Sequence, residues 1–284
     1  MIEVRELRFT YPGAERPAVE GLDFQVAAGE IFGFLGPSGA GKSTTQNVLI
    51  RLLRGYGGSA RVLGREVAQW TQDYFERVGV SFELPSHFLK LTARENLAYF
   101  RALYRGPTRT VEDALEVVGL GEHADKRVQA FSKGMKVRLN LARSLLHDPE
   151  VLVLDEPTSG LDPANAARVR HLVRTHRDRG ATVFLTTHDM HVAGALCDRV
   201  AFLVDGRIRE LDAPRELKLR YGRKEVTVGY RSADGIAERS FALDGLGRDE
   251  AFLHLLRTEE VESIHSQEST LEDVFLRVTG RRLS

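Results

Sequence analysis

The chain has 284 residues, with 40 Lys+Arg balanced by 40 Asp+Glu. Hydrophobic residues make up 42% and charged residues 28%. That composition excludes a disordered chain, and zero net charge with no charged tail argues against nucleic acid as the main partner. The single Cys197 excludes an internal disulfide and a cysteine-based zinc cage, and it fits a reducing compartment.

The N-terminus, MIEVRELRFTYPG, has no apolar core of the kind a signal peptide carries. The longest apolar stretches, Val151 to Leu154 and Val200 to Val204, fall far short of the ~20 residues of a membrane helix. The expectation is a soluble, cytoplasmic-type polypeptide. Its first 25 residues read as β, with Val4, Leu7 and Phe9 as spaced apolar positions and a second run over Val19 to Val26. Ile31 to Leu35 is a short apolar strand ending in a glycine-rich turn, and Thr45, Val48, Leu49, Leu52 and Leu53 continue as a helix stopped by Gly55. A strand over Val78 to Phe82 precedes a mainly helical region that includes Thr92 to Tyr104 and Thr110 to Val118. Ser132 to His147 places Met135, Leu139, Ala142 and Leu146 on one helix face, stopped by Asp148-Pro149. Val151 to Leu154 is apolar throughout, as a buried parallel sheet requires. Helix (Ala164 to Arg179) and strand (Ala181 to Thr186) alternate again, and Asp205-Gly206 marks a hairpin. Alternation of this kind predicts an α/β core whose active loops sit at the carboxyl ends of its strands. After Tyr221-Gly222 the texture changes: Val226, Val228 and Tyr230 alternate with polar residues. Helices are expected near 248–257 and 269–279, with Ser269-x-x-Glu272 as a capping box.

Gly36-Pro37-Ser38-Gly39-Ala40-Gly41-Lys42-Ser43-Thr44 matches the phosphate-loop pattern in full. Glycines let backbone N–H groups curl around phosphate oxygens, and the following helix aims its positive end at them. Lys42 would bridge the β- and γ-phosphates of ATP, and the Ser43 hydroxyl would ligate Mg²⁺. Asp155 and Glu156 stand at the mouth of the Val151 to Leu154 strand. There Asp155 would hold Mg²⁺, through its waters, and Glu156 would polarise or orient the attacking water.

Phe131-Ser132-Lys133-Gly134-Met135, followed by a helix and then the Asp155 strand, resembles the signature of ATP-binding cassette proteins, usually Leu-Ser-Gly-Gly-Gln. Ser159-Gly160-Leu161-Asp162 resembles that family's D-loop, Thr186-Thr187-His188-Asp189 its switch histidine, and Tyr11 its adenine-stacking aromatic. The resemblance implies an α/β fold: a phosphate-loop ATPase core over residues 1–221, an antiparallel β subdomain, a helical subdomain of about 84–147, and a small α+β appendage over 222–284. It implies ATP hydrolysis with Glu156, His188 and Lys42 as catalytic residues. It also implies that Ser132, Lys133, Gly134 and Met135 close over the ATP of the opposite subunit, with Asp162 in the D-loop. Two departures stand out. Glu83 occupies the place of the usual Q-loop glutamine; its carboxylate can still ligate Mg²⁺ but cannot donate a hydrogen bond while ionised. Lys133 either adds a cation near the γ-phosphate or lies on the surface. Tyr11, likewise, either stacks on adenine or packs on the sheet.

Lys42 and Ser132 are 90 residues apart without sustained heptads, which disfavours the long coiled coils of repair-type cassettes. One cassette per chain disfavours the translation type. The expectation is an ATPase subunit for a separate membrane permease, held at the cytoplasmic face of the cell membrane and pairing as a dimer on ATP binding. The alternative is a soluble mechanical regulator. Pro85, His87, Phe88 and Leu89 would form an apolar lip for the permease, or Phe88 and Leu89 belong to a subdomain core. Together with Ser-Thr-Leu-Glu-Asp-Val-Phe-Leu at 269–276, the signature looks like that of the branch exporting drugs, antibiotics and similar lipophilic compounds.

Overall fold

The computed structural model describes residues 1–84, 86–222, 224–232, 235–267 and 269–281. They divide into two compact units, residues 1–214 and 215–281. The strands of the first unit are β1 (Ile2–Phe9), β2 (Val19–Val26), β3 (Ile31–Leu35), β4 (Gly57–Val62), β5 (Arg65–Glu66), β6 (Val78–Ser81), β7 (Val151–Asp155), β8 (Thr182–Thr187), β9 (Arg199–Val204) and β10 (Arg207–Asp212). One sheet is antiparallel in the order β2-β1-β4-β5. The other has the order β10-β9-β3-β8-β7-β6 and is parallel except for β10.

Burial explains the assignment of each strand to its sheet. In β1, Ile2, Val4, Leu7 and Phe9 are buried while Arg5, Glu6 and Arg8 are exposed, the mark of a sheet with one wet face. By contrast β3 and β8 are buried along their whole length, as central parallel strands must be. Between the sheets, Phe24, Phe32, Phe34 and Phe184 form one aromatic cluster with ring centroids 5.3–6.3 Å apart. Cross-strand register brings Leu35 beside Thr187 and Asp155 beside Thr186. The ends of β3, β6, β7 and β8 therefore share one sheet edge, which is where the site lies.

Helices α1 (Lys42–Leu49), α2 (Ala93–Arg101), α3 (Val111–Val117), α4 (Lys133–Ser144), α5 (Pro163–Asp178) and α6 (Met190–Leu196) complete this unit. α2, α3 and α4 share a core of their own built on Leu97, Leu115, Val118, Leu139 and Leu146. The Thr92 hydroxyl accepts from the Glu95 amide, and Glu95 answers to the Thr92 amide, so α2 starts in a capping box. Strand β6 ends at Ser81, one residue before the expected Phe82. There the buried Asn140 of α4 donates to Ser81 Oγ (3.0 Å) and to the Phe82 carbonyl (2.9 Å), which turns the chain out of the sheet.

The second unit holds α7 (Pro214–Tyr221), whose first residue still belongs to the first unit, then β11 (Glu225–Ser232), β12 (Gly235–Ala242), α8 (Glu250–Thr258), β13 (Glu260–Gln267) and α9 (Leu271–Thr279). The division falls after Pro214, at the start of α7 and several residues ahead of Tyr221. β11 is the centre of an antiparallel β12-β11-β13 sheet. Val226, Val228 and Phe241 pack with Phe252 and Leu255 of α8 in a small separate core. The capping box of α9 is Thr270 with Asp273, and not Ser269 with Glu272. A cap must sit at the residue whose hydroxyl reaches the third helical amide, and Ser269 is one position too early.

Candidate nucleotide site

The loop from Gly36 to Gly41 is shaped by close backbone approach. A Cβ on Gly36 would fall 2.2 Å from the Leu203 carbonyl oxygen, and one on Gly41 would fall 2.6 Å from that of Ala18. Gly41 also has φ +108°, a conformation strained for any other residue. As the N-cap of α1, Gly41 offers no side chain to the first-turn amides, so they remain free for an anion. Lys42 Nζ donates to the carbonyls of Gly36 (2.5 Å) and Pro37 (3.0 Å), folding the side chain back over the loop. Burial lowers the Lys42 pKa; the fields of Glu156, Asp155 and Glu83, in that order, oppose the shift.

Loop and carboxylates line one cleft of 690 Å³, together with Tyr11, Ser38, Gly39, Ser43, Thr44, Glu83 and His188. Gly36, Pro37 and Ala40 form the loop's frame behind it. Glu156 is buried, with φ +45°, at the turn out of β7. Its Oε1 accepts from the His188 amide (2.8 Å) and lies 2.6 Å from His188 Nδ1, while Oε2 accepts from Thr187 Oγ1 (2.9 Å). Asp155 Oδ1 accepts from Thr186 Oγ1 at 2.5 Å, and that hydroxyl is also 3.0 Å from Gln46 Oε1. One hydroxyl carries one proton, and the charged carboxylate takes it, so Gln46 would serve Thr186 through its amide NH₂. Gln46 lies outside every motif, and Thr186 and Thr187 entered only as flanks of the switch histidine, with no role of their own. Their signal was only that polar side chains stood where a buried helix and strand were expected.

Tyr11 packs against the sheet and also reaches the cleft. Its ring packs edge-on against Phe9 at 5.0 Å, while its hydroxyl lies 3.3 Å from Thr44 Oγ1 at the cleft. Glu83 lines the cleft, and its charge is one of those that oppose the lowering of the Lys42 pKa. Ser132, Lys133, Gly134, Met135 and Asp162 do not line this cleft. Ser132 is the N-cap of α4, accepting from the Met135 amide (3.2 Å), and Asp162 is the N-cap of α5, accepting from the Asn165 amide (2.9 Å). Cys197 is buried against Gly33, a packing residue.

A family profile described as ABC transporter matches residues 19–159. Along its full length the chain is 55% identical, over 285 residues, to the fluoroquinolones export ATP-binding protein of Mycobacterium tuberculosis H37Rv, covering 95% of that relative. The chain belongs to the ABC transporter family. It is an ATP-binding, ATP-hydrolysing subunit of the export branch, which sets aside the soluble regulator. A second profile, described as the fluoroquinolone efflux ABC transporter C-terminal domain, matches residues 224–268, inside the second unit. The daunorubicin/doxorubicin resistance ATP-binding protein DrrA of Streptomyces peucetius is 36% identical over 306 residues, covering 98% of this chain and 92% of the relative. Among solved structures, an ATP-binding subunit of an ABC transporter matches with TM-score 0.71 and 26% identity over 78% of this chain and 93% of its own. A dimeric ATP-binding cassette in a post-hydrolysis state, bound to ADP and Pi, matches with TM-score 0.68 and 25% identity over 75% of this chain and 98% of its own. Among the described residues no helix is long and apolar enough to cross a membrane.

Proposed function

We propose that this subunit hydrolyses Mg·ATP in a head-to-tail pair of cassettes and so drives a separate membrane permease that exports fluoroquinolone-like or other lipophilic antibiotics. The observation that carries the reading is Glu156: a buried carboxylate, held by Thr187 and His188, beside Asp155 in the cleft of Lys42. The free first-turn amides of α1 and Lys42 bind the phosphates, with Lys42 exchanging the Gly36 and Pro37 carbonyls for phosphate oxygens. Glu156 orients the attacking water, and its bonds to Thr187 and His188 fix the direction of its remaining lone pairs.

The oxygen donors Ser43, Asp155 and Glu83 line the same cleft, and only Oδ1 of Asp155 is taken by a donor among the described residues. This hard, sparse donor set fits Mg²⁺, which keeps several waters and takes few protein ligands. When bound, the ion neutralises charge on the phosphate oxygens.

The α4 N-terminus has Ser132 as cap and no acidic residue in its first turn, so it suits an anion. It lies outside the Lys42 cleft, which favours a nucleotide held by a second cassette. For the permease, Leu84, Phe88, Leu89 and Tyr99 expose 81%, 44%, 50% and 50% of their surface, too much for a subdomain core. Beside them a 260 Å³ apolar groove runs past Leu52, Phe75, Phe82 and Phe100. Pro85, the first residue expected of this lip, lies outside the described residues. Docking there would hold the subunit peripherally at the cytoplasmic face of the membrane. The test is efflux of a fluorescent fluoroquinolone from cells expressing the chain with the membrane protein encoded beside it. ATP-dependent efflux that is lost in Glu156→Gln supports the reading; equal efflux with both proteins, or none with the parent, refutes it.

A further inference from the structure

Two glycines key the start of α4 into the turn at residues 159–162. A Cβ on Gly160 would lie 2.9 Å from Lys133 Nζ, 3.0 Å from Cε and 3.1 Å from Cδ, and one on Gly134 would lie 3.2 Å from Leu161 Cδ2. The Lys133 side chain is thus laid along Gly160, while Leu161 fills the notch at Gly134. Nothing electrostatic explains this placement. Lys133 is the first residue of α4, where a cation opposes the helix dipole, and it makes no ion pair or hydrogen bond among the described residues. Water and the dipole both draw the ammonium outward, so the stem's contact with Gly160 is what this conformation gains.

The turn so gripped leads back to the catalytic carboxylate. Gly160 has φ +69°, the Ser159 amide donates to the Glu156 carbonyl (3.0 Å), and Glu156 itself has φ +45°. A displacement at Gly160 therefore reaches Glu156 through one hydrogen-bonded turn. We propose that Lys133 is a positioning residue: its stem fixes the 159–162 turn against α4. The Glu156 that serves one nucleotide and the Ser132 that serves the other thereby keep a set spacing within each chain. The second half of this statement rests on the head-to-tail reading above; the first half does not. Because Cδ and Cε make the contact as well as Nζ, methionine, with similar reach and no charge, can replace lysine.

The test compares Lys133→Gly with Lys133→Met in the full chain, by hydrogen exchange without nucleotide and by steady-state ATP hydrolysis. In Lys133→Gly the amides of Glu156 and of residues 158–162 exchange about fivefold faster, the scale of one or two partly buried methylenes, and kcat falls by a similar factor. KM for ATP stays within about twofold, and Lys133→Met recovers most of both losses. Parent-like exchange in Lys133→Gly overturns the proposal. So does a rise in KM with kcat kept, or a Lys133→Met protein as impaired as Lys133→Gly, because each makes the charge and not the stem the acting part. If exchange and kcat respond as expected but ATP never pairs the chains, the head-to-tail reading fails and the positioning role stands.

Discussion

Thr187→Val tests how Glu156 is held, because it removes one donor and keeps the side chain's shape. In the parent the Thr187 hydroxyl donates to Glu156 Oε2 at 2.9 Å and accepts from the Asp189 amide at 3.0 Å, inside a fully buried strand end. A hydrogen bond to a charged group contributes about 1.5–3 kcal/mol. The His188 amide and ring remain on Oε1, so Glu156 keeps two contacts and loses the one that fixes its second oxygen. If the loss falls on orientation of the attacking water, kcat drops by roughly 10- to 100-fold while KM for ATP changes little. The assay is steady-state ATP hydrolysis across ATP concentration, with thermal unfolding alongside to check the fold. Thr187→Ser restores the hydroxyl and should recover most of kcat. A Thr187→Val protein within about twofold of the parent kcat, or a Thr187→Ser protein as slow as Thr187→Val, would refute the reasoning.

Other perturbations give separate readouts. Glu83→Gln removes one of three carboxylates acting on Lys42. ATP should then bind roughly three- to tenfold tighter at low Mg²⁺, with a flatter Mg²⁺ dependence of hydrolysis, whereas superimposable titrations would take Glu83 out of the site. His147 is buried against Tyr104 at 4.2 Å, neither ring nitrogen has a hydrogen-bond partner among the described residues, and burial pushes its pKa down to about 4. The unfolded chain binds the extra proton below about pH 6.5, so folded stability falls as pH drops from there towards 4, by up to about 3 kcal/mol. Denaturant unfolding of His147→Phe should lack that part of the pH dependence, and parallel parent and variant curves would contradict it.

The motifs were legible because each is a local demand of backbone or charge. The spacing of Gly36 and Gly41 is itself the phosphate-loop pattern, although the carbonyls that exclude a Cβ there, those of Leu203 (2.2 Å) and Ala18 (2.6 Å), come from elsewhere in the chain. Asp155 and Glu156 were legible as charges ending an apolar run. What the sequence concealed was pairing across distance. Thr186 meets Asp155 from 31 residues away and Gln46 from 140, and Asn140 reaches Ser81 across 59. None of these has a periodic or local signal, and each looks like an ordinary polar residue until strand register places it. The boundaries of α9 and β6 were off by one residue for the same reason. A cap or a strand end is chosen by the hydroxyl or amide that reaches its partner, as Thr270 and Asn140 do here. In the second unit, β12 and β13 carry exposed polar residues along much of their length, so alternation alone did not reveal them.

The central claim is that Glu156 directs water onto ATP held by the Lys42 loop. Glu156→Gln keeps the size of the side chain and one oxygen that can accept from the His188 amide, while its NH₂ can only donate towards Thr187; it removes the charge that orients or deprotonates water. The measurement is single-turnover hydrolysis of Mg·ATP by this variant, with ATP affinity and light scattering taken on the same sample. The account predicts retained ATP binding, turnover reduced by about 100-fold or more, and an ATP-dependent shift from monomer to dimer. Hydrolysis near the parent rate with ATP bound would contradict it.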